Sequence, residues 1–231
     1  MCGRFTLTWE EWRQVADALG VQDERDVAAS YRPRFNIAPT DQHFIITSEF
    51  ERRNAQRARW GLVNRWVRDN SRASQCNNAR AETLEQRSTF REAFQQRRCI
   101  VPADGFYECS GPKGKRQPLW IHPRAGGLLL FAGLYESWYP EKDQPELTFT
   151  IGTCAANAAT AAIHDRMPVV LDERAADDWM NPQERDPLSL KRLLVPAPHD
   201  LLVMQPASSL VNSVKNEGPA LLEFSEAATP E

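Results

Sequence analysis

Cys2 is the residue whose position offers the most chemistry. With residue 1 removed, it presents a free α-amine and a thiol on adjacent carbons. Reference pKa values of about 8 for the amine and about 8.5 for the thiol leave both partly nucleophilic near neutral pH. A 1,2-aminothiol has one distinctive reaction. The amine attacks an aldehyde to give an imine, and the thiol then closes a five-membered thiazolidine ring. Three short stretches bring further polar groups: Asn77-Asn78-Ala79-Arg80-Ala81-Glu82, Gly105-Phe106-Tyr107-Glu108 and Ile163-His164-Asp165-Arg166-Met167-Pro168. Taken singly, each of these features has a bland explanation. A cysteine can stand at position 2 by chance, a strand glutamate usually lies on a solvated face, and a lone histidine more often satisfies a core hydrogen bond.

The elements that must position these groups can be read coarsely. The spacing of Trp12, Val15, Ala16 and Leu19 predicts a first helix with one apolar stripe, capped by Thr8, with Glu11 in capping-box position and Gly20 closing it. Residues 21–42 read as irregular, punctuated by Pro33 and Pro39. Strands are expected at His43–Thr47 and Arg57–Leu62, an ordered loop at 63–77, and a helix at Ser88–Arg98. Further strands follow at Cys99–Val101, Gly105–Cys109, Leu119–His122, Leu128–Leu134 and Thr148–Cys154, with a Gly-Pro-Lys-Gly turn at 111–114 making a hairpin. Asp172, and Asp186 with Pro187, start two short helices, and Leu201–Met204 is a late strand. Strands do not alternate with long helices, so the expected class is α+β. The chain should form a single β-rich domain over 1–224, mostly antiparallel with short flanking helices, followed by a frayed tail at 225–231.

Composition narrows the setting. At 231 residues, with 42% hydrophobic and 26% charged, the chain suits a soluble globular protein with a real core. No apolar run approaches the ~20 residues that span a bilayer. MCGRFTLTWEEW lacks the basic and apolar regions of a secretory signal, so the expected location is the cytosol. The five cysteines, Cys2, Cys76, Cys99, Cys109 and Cys154, are odd in number and contain no Cys-x-x-Cys pair, which argues against a disulfide framework or a zinc site. Nothing argues for a metal or another cofactor, and a monomer is the default. Net charge is −3, but residues 51–98 hold twelve arginines against five acids, which suggests one basic face. Charge alone does not separate a nucleic-acid surface from solvated helix faces.

Order is more specific than any single stretch. Met1-Cys2-Gly3-Arg4-Phe5, Arg34-Phe35-Asn36-Ile37-Ala38-Pro39, Trp60-Gly61-Leu62, Asn78-Ala79-Arg80-Ala81-Glu82, Asp104-Gly105-Phe106-Tyr107-Glu108, Ile163-His164-Asp165-Arg166-Met167-Pro168 and Val214-Lys215-Asn216 follow one another along the chain. In this it resembles the SOS-response-associated peptidase (SRAP) family of abasic-site-processing proteins, from Cys2 to about Gly218. The resemblance implies a β-rich α+β domain with a basic groove. It implies action on abasic sites in single-stranded DNA, and a DNA–protein crosslink through the N-terminal cysteine after self-cleavage behind Met1. It implies Cys2 as nucleophile, completed by Asn78, Glu108 and His164, with Arg4 and Arg80 on the DNA backbone, and the nucleoid as a location when bound to DNA. Asn36, Pro39 and Thr40 are candidates for further contacts to the strand. Trp66 is a candidate stacking platform, as is Trp60, although core packing is an equal expectation for either. The stretch 63–77 departs from the family pattern, keeping Trp66 where relatives often carry an aromatic pair.

The chemistry suits these roles. An abasic deoxyribose is mostly a closed hemiacetal, and opening it requires a proton moved between ring oxygen and anomeric hydroxyl. Glu108 is a candidate for relaying protons among amine, carbinolamine and sugar, and His164 for protonating the sugar oxygen or assisting reversal. Asn78 cannot titrate and is expected to orient the sugar or the amine. Two other functions fit the same residues: a cysteine-type peptidase or amidase using Cys2 and His164, and a reader of damaged DNA that makes no bond. The first needs no free amine, and the second no Cys2 at all.

Overall fold

The computed structural model describes residues 2–23, 25–50, 52–112, 114–141 and 144–223. Along the chain, β1 (Phe5–Leu7) leads into α1 (Trp12–Leu19), β2 (Val21–Asp23) and the single turn of α2 (Arg25–Ala28). β3 (Arg34–Ile37), β4 (Gln42–Glu49) and β5 (Arg52–Trp60) follow, then a long loop, β6 (Asn78–Arg80) and α3 (Ser88–Gln96). β7 (Arg98–Ala103), β8 (Gly105–Ser110), β9 (Gln117–Pro123), β10 (Leu129–Glu141) and β11 (Gln144–Ala155) form the β-rich middle. β12 (Arg166–Pro168), β13 (Val170–Leu171), α4 (Glu173–Met180), α5 (Pro187–Arg192) and β14 (Leu202–Pro206) end it.

Two sheets result. The larger runs β12-β11-β10-β7-β4-β5-β2 and closes on itself, because β11 also pairs in parallel with β5 at Thr148↔Arg59 and Phe149↔Trp60. Closure gives a barrel-like ring of β11, β10, β7, β4 and β5 that leaves these strands no open edge. β11 is long enough to serve several partners. One edge takes β10 and then β12 at 153–155, while the other takes β5 and then β6 at 151–153. The smaller sheet, β14-β9-β8-β1-β3, lies against the ring. Phe5 of β1 joins the two, its buried ring edge-on to His43, Trp60 and Phe131 at 4.9, 5.0 and 6.2 Å. This is the expected single β-rich α+β domain, its neighbours mostly antiparallel with a few parallel closures.

Several local expectations differ. Thr8 does not cap α1. Its N–H and hydroxyl both donate to the Asp104 carboxylate at 2.6 Å, and Glu11 takes the cap position without a side-chain bond. Gly20 does close the helix, in a left-handed conformation at φ 60°. Residues 21–42 are not irregular, since β2 pairs with β5 and β3 with β1. β5 starts at Arg52 rather than Arg57, its first half polar and only partly buried. The caps at Asp172 and Asp186 form as expected, each carboxylate accepting from backbone N–H groups. The hairpin at 111–114 joins β8 to β9, with Gly111 and Gly114 at positive φ. The tail expected at 225–231 lies outside the described residues.

Candidate active site

The residues around Cys2 are held from three sides. Phe5 anchors β1 in the core, and Thr6 donates to Asp104 at 2.5 Å, so β1 is pinned to the start of β8. Phe5 stands opposite Phe106, and Tyr107 N–H donates to Arg4 O at 3.0 Å, which carries residues 2–4 along β8 towards Glu108. Gly105 makes this approach possible, because a Cβ there would fall 2.1 Å from Trp120 Nε1. From the barrel side, β6 is fixed by its parallel pairing with β11, and Trp60 Nε1 donates to Asn77 O at 2.7 Å. This presents Asn78, whose Nδ2 donates to the Cys2 carbonyl at 2.7 Å. The other amide atom, Asn78 Oδ1, is buried without a hydrogen-bond partner.

Cys2 itself is fully buried. Its thiol points to Arg4 O at 3.7 Å. Burial, then the negative charge of Glu108, push that thiol far above its ordinary pKa. The chain's amino terminus and the Arg4 carbonyl act in the opposite direction without offsetting them. Burial and the Glu108 charge both favour the neutral S–H over the thiolate.

Beside Cys2 opens a cleft of about 790 Å³ lined by Gly3, Arg4, Tyr107, Glu108 and His164. Glu108 arrives on β8, and His164 on the turn leading into β12. His164 Nδ1 has two neighbours that want opposite tautomers. Arg166 N–H donates to it at 3.0 Å, and the exposed Asp165 carboxylate lies 2.8 Å away. The far wall is the turn at 209–212, held by Asn36. The Asn36 amide is buried and donates to the carbonyls of Val211, Ser213 and Asn216. Arg34 supports the same wall by bonding Glu217 at 2.6 Å and Asp41 at 2.7 Å. The Asn36 side chain is thus bonded to the protein's own backbone.

The remaining candidates lie apart from the cleft lining. Arg80 is exposed two residues beyond Asn78 on β6, so alternation puts both on one face. Pro39 and Thr40 form the turn into β4, where Thr40 N–H donates to Trp60 O at 2.7 Å. Trp60 is buried core, stacked on Phe149. Trp66 is 55% exposed and lines a separate depression with Val67, Arg72 and Ser88. Sequence reading missed Arg116 and Asn212, which line the cleft together with Tyr107 of the Gly105–Glu108 stretch. The cationic Lys-Gly-Lys-Arg run at 113–116, directly after the Glu108 strand, was the available signal for Arg116. No cluster of His, Cys, Asp or Glu among the described residues could hold a metal ion. No helix among them is long and apolar enough to cross a membrane.

The family described as SOS response associated peptidase (SRAP) matches residues 1–214. The chain belongs to the SRAP family. Among its relatives, the abasic site processing protein YoqW of Bacillus subtilis is 39% identical, with 96% of this chain and 99% of that protein covered. The abasic site processing protein YedK of Escherichia coli is 30% identical, covering 96% of this chain and 99% of its own. The abasic site processing protein HMCES of Gallus gallus is also 30% identical, over 87% of this SRAP chain and 68% of its own length. A solved protein of Bacteroides thetaiotaomicron shares the SRAP chain's fold with a TM-score of 0.84 at 24% identity, covering 97% of this chain and 100% of its own.

Proposed function

We propose that this chain processes abasic sites in single-stranded DNA, bonding the open-chain aldehyde of the lesion to the amine and thiol of Cys2 once residue 1 is removed. The observation that carries the reading is the clamp on Cys2. Asn78 holds its carbonyl at 2.7 Å while Glu108 stands near enough to shift its thiol, beside a cleft shared with Arg4 and His164. The names of the relatives support the substrate.

The order of steps follows from the thiol. A neutral S–H is a poor first nucleophile, whereas an α-amine with a reference pKa near ~8 is partly free at neutral pH. The amine therefore attacks first, and His164 supplies or takes the proton at the sugar oxygen as the ring opens. Loss of water gives the imine. Sulfur then adds to the imine carbon as Glu108 accepts its proton, closing the thiazolidine. Arg4 and Arg80 grip backbone phosphates, and the Asn78 amide keeps the amine aimed.

The test uses a single-stranded oligonucleotide with one abasic site. Wild type should give an adduct that survives denaturation, and Cys2→Ala should give none. Cys2→Ser should leave only an imine that borohydride traps. A Cys2→Ala variant that crosslinks as well as wild type would end this reading.

A further inference from the structure

The rim of the cleft carries a cation that the steps above do not use. Arg116 closes the turn between β8 and β9 and lines the same cleft as Arg4, Glu108 and His164. It is exposed, and no carboxylate among the described residues pairs with it. Its charge and that of Glu108 both reach the Cys109 thiol, in opposite senses. Among the described residues Arg4 likewise has no carboxylate partner, and its buried Nε has no acceptor. Arg34, Arg59, Arg97 and Arg166, by contrast, each hold a carboxylate. Two guanidiniums with no ion pair among the described residues therefore share a cleft with the Glu108 carboxylate and the His164 imidazole. Guanidinium forks match phosphate oxygens in geometry and charge. The arrangement suits a compact ligand with a phosphate a few bonds from an aldehyde carbon. At about 790 Å³ the cleft has room for such a molecule whole.

We infer that Arg4 and Arg116 form a phosphate site, and that the cleft consequently accepts free aldose phosphates, sugars whose C1 opens to an aldehyde, as well as an abasic strand. The inference rests on the aminothiol chemistry proposed for Cys2. The amine nitrogen bonds to C1, and the carbonyl oxygen leaves as water after taking up protons. The sulfur then bonds to C1 and its proton ends on the ring nitrogen. One water is lost and nothing is oxidised or reduced.

Intact-mass spectrometry of the chain lacking residue 1 tests this, with 2-deoxyribose 5-phosphate, 2-deoxyribose and an abasic oligonucleotide as separate substrates. The sugar phosphate should add its mass less one water about tenfold faster than the plain sugar. Inorganic phosphate should slow only the former. Arg116→Ala should erase most of the advantage, and Arg116→Lys should keep part of it, as a charge without the fork. Equal rates for the two sugars, or an advantage unchanged in Arg116→Ala, with the oligonucleotide still crosslinked, would overturn the phosphate site alone. No adduct with the oligonucleotide would overturn the Cys2 chemistry and this inference with it.

Discussion

Arg98 and Arg4 show how the scaffold differs from the cleft. Arg98 is buried at the start of β7, and all of its donors are used. Nε bonds Trp179 O, Nη1 bonds Phe94 O and Gln95 O, and Nη2 bonds Asn181 O and Glu184 O. Burial lowers its pKa to about 10, which still leaves it charged at neutral pH, and it ties β7 to α3 and α4. Arg4 is spent only on its neighbour's carbonyl, Gly3 O at 3.0 Å, and its Nε is sealed off unmet. Asn78 repeats the pattern, with one amide atom on Cys2 and the other on nothing. A buried polar atom left unmet costs about 1–3 kcal/mol. Unmet atoms also occur elsewhere, at Thr150 Oγ1 and Arg166 Nε, so they do not mark a site by themselves. The cleft is set apart by their convergence with Glu108 and His164 around one terminal residue.

The largest expected effect would break the comparison most plainly. Arg98→Met strands five carbonyls and should cost about 3–5 kcal/mol in urea denaturation. Arg4→Met should change stability by less than about 1 kcal/mol, since it removes one bond to a neighbouring carbonyl together with a donor that was unmet, while slowing reaction with abasic DNA. Similar losses for the two would erase the distinction between scaffold and cleft.

Next in size is a pH effect on the scaffold. His43 is buried, with Nε2 2.8 Å from Pro102 O and Phe5 against its ring, and burial lowers its pKa to about 4. The folded chain thus keeps it neutral where an unfolded histidine, near ~6.5, takes a proton. Its contribution is fully present above about 6.5 and is lost as pH falls towards about 4. Stability of wild type should decline more steeply over that window than that of His43→Gln, whose amide can keep the donor. Parallel curves would show that His43 is not held neutral.

The smallest effect on stability belongs to the cleft. Asn78→Ala should cost about 1 kcal/mol or less, as one net hydrogen bond. It should nevertheless slow crosslinking by about tenfold or more, because the amine loses its aim. A loss of stability without a loss of rate would make Asn78 part of the scaffold.

What was legible in the sequence was local. Gly20, Asp172 and Asp186 act within one turn of their own helices, and their signals held. Thr8 carried an equally good local signal and was overridden by Asp104, 96 residues away. β2, β3 and β6 are short and draw their pairing from distant strands, two of them in parallel, so no alternation announced them. The order of motifs brought forward Cys2, Asn78, Glu108 and His164, which the fold gathers around the cleft. It gave no means of telling Asn36, which builds a wall from inside, from a residue that faces outward. Arg116 went unread because its turn looked like simple hairpin punctuation.

The most direct measurement is the mass of the peptide that carries the lesion after the adduct is digested under denaturing conditions. The sugar should sit on the peptide that begins with Cys2, one water lighter than the sum of its parts and inert to borohydride, and a chain that keeps residue 1 should acquire none. A lesion carried on any other residue, or equal reaction by the chain with its amine blocked, would contradict the account.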